Sequence, residues 1–384
     1  MQTPQDNLRD PNYGDPRRRL VLIGPSVRAA AESARLAGFL PIGIDDFGDQ
    51  DTQTACISWF PLDQLRSQMM AGHAAELTGT SRLRIVGGLA GGYDWLAPVA
   101  NRIEGPPLQA FRDSTSPFVL AELAQAASVD FPSVRHDYAG PNGWLIKSSI
   151  SSGGLGVRTA IANEPVPKGC FAQERISGKV CGATLIANGN DAKLLGACRL
   201  LRKRFPDRPF VFAGAIGPVP ISASVQSQLA AVAEQWLKRY PMSGPLNIDF
   251  VCDRAGRSIT LLEINPRYSA SMELIERSWT AATGIDVSVF EPPEHWFRRP
   301  RPVALRSYLK RIVFTKSACR ISPSDFDQSG RLAPQTVAPA LKEFQWKDIP
   351  AKTSNVPASC PLATMIVPFE RDRLSQSIRC RASV

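Results

Sequence analysis

The stretch that decides the reading of this chain is a pair of short runs joined by a polar turn. The first run is Asn247-Ile248-Asp249-Phe250-Val251-Cys252. The turn is Asp253 to Ser258. The second run is Ile259-Thr260-Leu261-Leu262-Glu263-Ile264-Asn265-Pro266-Arg267. Both runs alternate with the period of a strand, so Asn247 and Asp249 share one face, as do Glu263 and Asn265. A hairpin symmetric about Gly256 places Asp249 opposite Glu263 and Asn247 opposite Asn265, with facing Cβ atoms about 4.5–5.5 Å apart. Two carboxylates that close repel, and on a half-buried sheet they are costly unless a cation lies between them. Two acids and an amide oxygen are hard oxygen ligands suited to Mg2+ or Mn2+, with phosphate oxygens completing the shell. Arg267 follows at once and is placed to hold phosphate or carboxylate oxygens bidentately. The competing reading is a pair of solvent-facing acids. The apolar residues Ile248, Phe250, Leu262 and Ile264 indicate a buried opposite face.

Some hundred residues earlier, Trp144-Leu145-Ile146-Lys147 runs into Ser148-Ser149-Ile150-Ser151-Ser152-Gly153-Gly154-Leu155-Gly156-Val157. A strand, a Ser/Gly loop and a second strand make a flap. Glycines let consecutive backbone N–H groups turn toward one anion, and serine hydroxyls add donors. Lys147 supplies a point charge for a phosphate. It is the first lysine of the chain, although arginines are plentiful before it. A plain Ser/Gly-rich hairpin explains the loop equally well when it is taken alone.

Around these two features the chain reads as mixed α/β. Arg19–Ile23, a helix over Val27–Ala37 and a strand over Leu40–Ile44 form a β-α-β unit, and Leu83–Val86 adds a further strand. Residues 19–105 are therefore expected to be a small parallel-sheet domain. The turn after Ile23 has one glycine, and the cluster from Gly87 to Gly92 has the wrong spacing for a dinucleotide loop. Tight turns and close packing account for these glycines at least as well as phosphate contact. A helical segment follows over Gln109–Ala127, then strands at Trp144–Lys147, Val157–Ile161, Cys170–Ile176, Ala183–Asn188 and Leu194–Arg199. A long helix over Ser222–Tyr240 precedes the acid hairpin.

The 384 residues carry a net charge of +10, with 43% hydrophobic and 21% charged residues, an ordinary globular balance. No apolar run is long enough to span a bilayer, and Met1–Arg19 lacks the apolar core of a secretory signal. A cytoplasmic protein with reduced cysteines is expected from eight cysteines that form no C-x-x-C pair, and three histidines give no zinc pattern. The basic residues fall in short clusters, among them Arg202–Arg204 and Arg298, Arg299 and Arg301, without interleaved aromatics. Solvated surface charge is the leading reading and nucleic acid is not the expected partner; a polyanionic substrate is a further reading.

A lysine followed by a Ser/Gly flap, then an Asp strand and a Glu-x-Asn-Pro-Arg strand, resembles the ATP-grasp superfamily. The polar N-terminus over 1–18 reads as a disordered leader. The resemblance implies an α+β ATP-grasp fold: an N-terminal domain over 19–105, an ATP-grasp domain over 106–290 with its flap at about 140–200, and a C-terminal β extension over 291–384. Residues Phe171 to Gly178 look like the family's hinge strand, so Gln173 is expected at the adenine amino group and the backbone of Glu174 and Ile176 along the base. The resemblance places Lys147 on the α/β-phosphates and Ser152, Gly153 and Gly154 over them. It puts Asp249, Glu263 and Asn265 on Mg2+, and Arg267 at the transferring phosphoryl group. The family's second ATP lysine is missing, with Arg112 as the expected substitute, and the acid that often holds the ribose is replaced near Val180. The implied activity is an ATP-dependent carboxylate–amine ligase acting through an acyl phosphate on small molecules. A non-catalytic ATP-binding module and a carboxylase or carboxylate kinase are the alternatives. Homodimers are common among similar proteins. More narrowly, Gly24–Ala30, Asp45–Thr52 and Phe111–Asp113 look like carboligases linked to methanopterin-type one-carbon metabolism.

Overall fold

The computed structural model describes residues 15–72, 81–326 and 344–370. Most of the expected leader, along with His73 and Cys380, lies outside the described residues; Pro16–Arg18 form a short 3-10 turn that feeds the first strand.

The N-terminal part alternates strand and helix: β1 (Arg19–Ile23), α1 (Arg28–Leu36), β2 (Leu40–Asp45), α2 (Gln50–Ala55), β3 (Ser58–Pro61), α3 (Leu62–Met70) and β4 (Arg82–Ile85). The strands are parallel, in the order β3-β2-β1-β4. Continuous apolar runs suit strands covered on both faces. Leu20 and Leu22 pack on the alanines of α1, and Val21 and Ile23 pack with Leu65 and Leu83 on the other side. The glycine turn after β1 serves close packing. A Cβ on Gly24 would lie 2.0 Å from the Val86 carbonyl oxygen. The Val27 amide at the start of α1 donates to Asp45 Oδ2 at 3.0 Å, so the protein's own carboxylate takes the place an anion would want.

The helical segment expected over Gln109–Ala127 is two helices, α4 (Leu108–Asp113) and α5 (Pro117–Ala126). Pro117 forces the break: the residue before a proline is driven out of the helical region, and Ser116 is extended at ψ 117. The flap is the antiparallel sheet β5 (Val134–Arg135), β6 (Trp144–Ser148), β7 (Val157–Thr159) and β8 (Cys170–Glu174), in the order β5-β8-β6-β7.

The rest of the chain runs through β9 (Lys179–Gly189), β10 (Asp191–Lys203), β11 (Val211–Val219), α6 (Ala223–Arg239), β12 (Met242–Cys252), β13 (Ile259–Asn265), α7 (Met272–Thr283), α8 (Pro293–Arg298) and β14 (Tyr308–Phe314). The short strands β15 (Cys319–Ile321), β16 (Gln345–Lys347), β17 (Ser354–Val356) and β18 (Pro361–Pro368) follow. Eight strands form one sheet in the order β13-β12-β9-β10-β11-β14-β18-β16, so most C-terminal strands extend the central sheet; β15 pairs with β17 apart. On one face α6 sets Leu229, Val232 and Trp236 against Leu246, Ile248 and Phe250. On the other, α7 sets Ile275 and Trp279 against Leu195, Cys198 and Ala215. Ser222 caps α6, its Oγ accepting from the Val225 amide at 3.2 Å, and Gly284 ends α7 in the left-handed conformation at φ 69.

A buried ion network ties these parts together. Arg28, only 1% exposed, bonds Glu273 at 2.5 Å, Asp348 at 2.9 Å and Glu32 at 3.1 Å. Lys310 reaches Glu273 at 2.7 Å, and Lys347 reaches Glu32 at 2.6 Å. Burial alone would raise Glu273, but the flanking Arg28, Lys310 and Arg277 hold it well below the usual carboxylate range. The network joins α1, α7, β14 and β16 into one body, against which the flap is a separate layer. The described cysteines are free, and no helix among the described residues is long and apolar enough to cross a membrane.

Candidate active site

The acid hairpin is β12 paired with β13. Asp249 faces Glu263 and Asn247 faces Asn265, the arrangement that symmetry about Gly256 predicts. The register gets there by a less simple route. Near the turn Cys252 faces Ile259 and Phe250 faces Leu261, which on its own would bring Asp249 opposite Leu262. A β-bulge between Asp249 and Phe250 leaves Leu262 as the extra residue and brings acid opposite acid. The bulge also corrects one expectation: Leu262 lines the cleft, half-buried, instead of the core face held by Ile248, Phe250, Leu261 and Ile264.

The polar face is crowded. Asp249 accepts from Asn247 Nδ2 at 2.7 Å and from Asn265 Nδ2 at 3.2 Å. Burial first, and the facing Glu263 second, push the Asp249 carboxyl well above its ordinary range. The neighbouring strand makes room: a Cβ on Gly182 would lie 2.8 Å from Asp249 Oδ1 and 3.3 Å from Asn247 Oδ1. Among the described residues, Asn247 Oδ1 is buried with no hydrogen-bond partner, and so is the hydroxyl of Thr184, its register partner on β9. Among the described residues no group of three or more His, Cys, Asp and Glu side chains forms a metal site. A cation here therefore needs the amide oxygens beside the two acids, and the residues fit that demand: paired carboxylates, an orphaned Asn247 oxygen that wants a positive partner, and Asn265, whose oxygen here also accepts from Arg267.

Arg267 is 8% exposed. Its Nη2 donates to Asn265 Oδ1 and its Nη1 lies 3.5 Å from Ser269 Oγ. An amide and a hydroxyl orient the guanidinium, and no carboxylate among the described residues pairs with it, so its charge is available to an anion.

The flap lies over these groups. A cleft of about 90 Å3 between them is lined by Lys147, Ser152, Gly153, Gly154, Gln173 and Glu263, among others. Lys147 is drawn down by burial, while Glu263 and Asp249 across the cleft pull it up. The loop is pinned on two sides. Ser152 Oγ donates to the Gly88 carbonyl at 2.7 Å, and the Gly91 amide donates to the Ile150 carbonyl at 2.9 Å. On the other side the Phe212 amide donates to the Gly153 carbonyl at 2.9 Å. The Gly87–Gly92 cluster is thus the seat on which the flap rests. A Cβ at Gly88 would stand 2.5 Å from Ser152 Cβ and 3.1 Å from Arg267 Nη2.

The structure gathers most of the residues singled out in the sequence. Lys147, Ser152, Gly153, Gly154, Gln173 and Glu263 share the cleft, with Asp249 and Asn265 beside it. Glu174 is exposed, its carboxylate accepting from Ser133 Oγ at 2.8 Å, and neither it nor the half-buried Ile176 lines the cleft. Arg112 is not brought there: its guanidinium bonds Asp94 at 2.6 Å and Gln109 at 3.1 Å. Sequence reasoning missed Gly182, Gly88 and Leu262, and put Asn247 on the acid face without giving its oxygen a role. Gly88 carried a signal as part of a conspicuous glycine cluster; Leu262 depends on a bulge, and Gly182 on which strand becomes the neighbour.

Comparison with known proteins agrees with this architecture. Residues 118–271 match the family model described as ATP-grasp domain. Among solved structures, L-amino acid ligase from Bacillus licheniformis superposes with a TM-score of 0.64 at 11% identity, over 93% of this chain and 95% of that one. Carboxyaminoimidazole ribonucleotide synthase from Aspergillus clavatus, solved with ATP, gives 0.63 at 12% identity, over 92% and 94%. Phosphoribosylamine–glycine ligase from Thermotoga maritima gives 0.59 at 12%, over 91% and 92%. Identities this low carry the fold alone. No curated protein matches the sequence. The chain therefore has the ATP-grasp fold and carries an ATP-grasp domain over residues 118–271.

Proposed function

We propose that this protein is an ATP- and Mg2+-dependent carboxylate–amine ligase. The observation that carries the reading is the facing pair Asp249 and Glu263 beneath a Ser/Gly loop that roofs one cleft with Lys147. Two acids this close, with a buried orphan amide oxygen beside them, fit a divalent ion better than they fit water. Asp249, Glu263 and Asn265 would hold that ion, which supplies charge neutralisation for phosphate oxygens.

Lys147 and the amides of Ser152, Gly153 and Gly154 bind the phosphates, and Gln173 reads the adenine. Arg267 orients the substrate carboxylate and stabilises the phosphoryl group in transfer. The carboxylate oxygen attacks the γ-phosphorus and ADP leaves, giving an acyl phosphate. An amine then attacks the acyl carbon, phosphate leaves, and the amine's proton passes to solvent. Most of the rate enhancement is positioning and charge stabilisation, and the closed flap keeps water from the acyl phosphate. The named relatives of similar fold include a ligase of amino acids and one of glycine, which supports an amide-forming reaction. The resemblance of the N-terminal stretches adds a narrower proposal, that the substrates belong to one-carbon cofactor assembly of the methanopterin or methanofuran type. A cytoplasmic homodimer completes the reading.

The test is ADP release screened against pooled acids and amines. Release that needs both, and that falls at least about 10²–10³-fold in Glu263→Gln, is expected. Near-normal release in Glu263→Gln would overturn the site. Phosphate release without an amine would point to a carboxylase or carboxylate kinase. The position of Arg112 outside the cleft favours one rival, a nucleotide-binding module without turnover. Nucleotide-dependent protection against melting, with no substrate-stimulated ADP release, would select it.

A further inference from the structure

The basic cluster Arg202–Arg204 stands out in the sequence and takes no part in the mechanism above. It lies at the end of β10, where Arg202 is in register with Phe212 and its guanidinium stacks over the Phe210 ring at 5.2 Å. Those two aromatic residues are the flap's second seat. The Phe212 amide bonds the Gly153 carbonyl, and a Cβ on Gly154 would lie 2.0 Å from the Phe210 carbonyl oxygen. Arg202 is therefore fixed beside the loop that roofs the cleft. Arg175 is a second charge acting on Arg202. It immediately follows β8, two residues beyond the cleft-lining Gln173. Burial of part of Arg202, together with the nearby charges of Arg175 and Arg204, disfavours its protonated form.

Arg175 and Arg204 are thus close enough for their charges to act on Arg202 beside the flap's seat, and among the described residues none of the three has a carboxylate partner. Arg82, Arg158 and Arg239, elsewhere on the surface, are each paired with a glutamate at 2.6–3.0 Å. Like charges left together without counter-ions repel, and a bound anion relieves that repulsion. Arg202 is also held by its aromatic stack, which leaves the guanidinium edge free for bidentate contact.

We propose that Arg175, Arg202 and Arg204 form an anion subsite at the mouth of the cleft, and that it takes a phosphate or carboxylate group at the far end of the substrate. This rests on the ligase reading for the word substrate, but not for the site. It makes the substrate polyanionic: one carboxylate reacts at Arg267 and a second anionic group is held about a flap's width away. An anion on the rim also bridges hinge and β10 beside the flap's seat, so its binding favours the closed flap.

The experiment is calorimetric titration of the full chain with citrate and with inorganic pyrophosphate, each with and without saturating MgADP. Wild type is compared with Arg202→Gln, with Arg202→Gln/Arg204→Gln, and with an Arg298→Gln control in a different basic cluster. Wild type is expected to bind at least one probe with MgADP present. The double variant should lose about tenfold or more of that affinity, the scale of one charge-assisted contact, with ADP affinity unchanged. The proposal is overturned if neither probe binds in either condition, or if Arg298→Gln weakens binding as much as the double variant. It is overturned too if ADP affinity falls in step, since the arginines would then serve the nucleotide's own phosphates. Failure of wild type to bind MgADP would sink the ligase reading alone, and the titration without nucleotide would still decide the subsite.

Discussion

Gly88→Ala should hold the flap open without harming the fold. Gly88 does not occupy the left-handed region, so alanine brings no backbone strain, and loss of glycine's freedom in the unfolded chain favours the variant slightly. The whole effect comes from one methyl group. Its carbon would stand 2.5 Å from Ser152 Cβ, 3.0 Å from Ser152 Oγ and 3.1 Å from Arg267 Nη2. Ordinary contact between such carbons is about 3.5–4.0 Å, so the flap must retreat by roughly 1 Å. That breaks the 2.7 Å bond from Ser152 to the Gly88 carbonyl. A bond of this kind contributes about 0.5–1.5 kcal/mol, and residual crowding at Arg267 brings the cost of closure to about 1–3 kcal/mol. Nucleotide affinity should fall about 5- to 150-fold, since only the closed state grips the phosphates. The assay is MgADP binding by calorimetry beside hydrogen exchange of the flap amides. Melting without nucleotide should stay within about 2 °C of wild type. Ser152→Gly removes the two nearest clashing atoms but also the bond itself, so adding it to Gly88→Ala should restore closure only in part. Unchanged exchange and ADP affinity within twofold in Gly88→Ala would refute the reasoning, because the flap would then close without that contact.

Three further outcomes follow from named contacts. Lys147→Ala should weaken MgADP binding about 10- to 100-fold by calorimetry, the range for losing a hydrogen bond to a charged group, and an unaltered affinity would remove Lys147 from the phosphates. Glu276 accepts from Ser33, Tyr268 and the Val289 amide, yet burial lifts it from an ordinary 4.5 to about 7. The native state then keeps a proton that the unfolded chain has released, so stability falls as pH rises through that window. The stability of wild type relative to Glu276→Gln should drop by about 2–3 kcal/mol between pH 5 and 8 in denaturant titrations, and a flat difference would mean the native carboxylate is ionised. Arg28→Ala strands Glu273 and Asp348 with fewer cations and should cost about 3–5 kcal/mol by thermal melting; a cost under about 1 kcal/mol would show the network relaxes around the loss.

Much of the central architecture was legible because local chemistry and period agreed. The runs Arg19–Ile23 and Leu40–Asp45 are apolar and bounded by turn residues, and they became parallel strands. The acid hairpin was legible for the same reason: alternation over both runs and a glycine in the turn predict the two acids face to face, although a bulge completes their pairing. Helix α7 was not read. It is enclosed on both sides, so its pattern Met272–Thr283 buries Glu273 and Glu276 alongside Leu274 and Ile275 and shows no clean apolar stripe. Pro117 split a helical segment read as one, a local signal given too little weight.

Sequence by itself determined which residues share a strand face, because side-chain alternation is a property of each strand alone. It thereby placed Asp249 with Asn247 and Glu263 with Asn265, and set Lys147 at the edge of a glycine loop. Only the tertiary structure decided that Leu262 bulges into the cleft, that Gly182 gives the acids room, and that the Gly87–Gly92 cluster seats a flap. It also left Arg112 with Asp94, away from the cleft. Each of these depends on what a distant segment brings alongside, and no pattern within either segment encodes the distance between them.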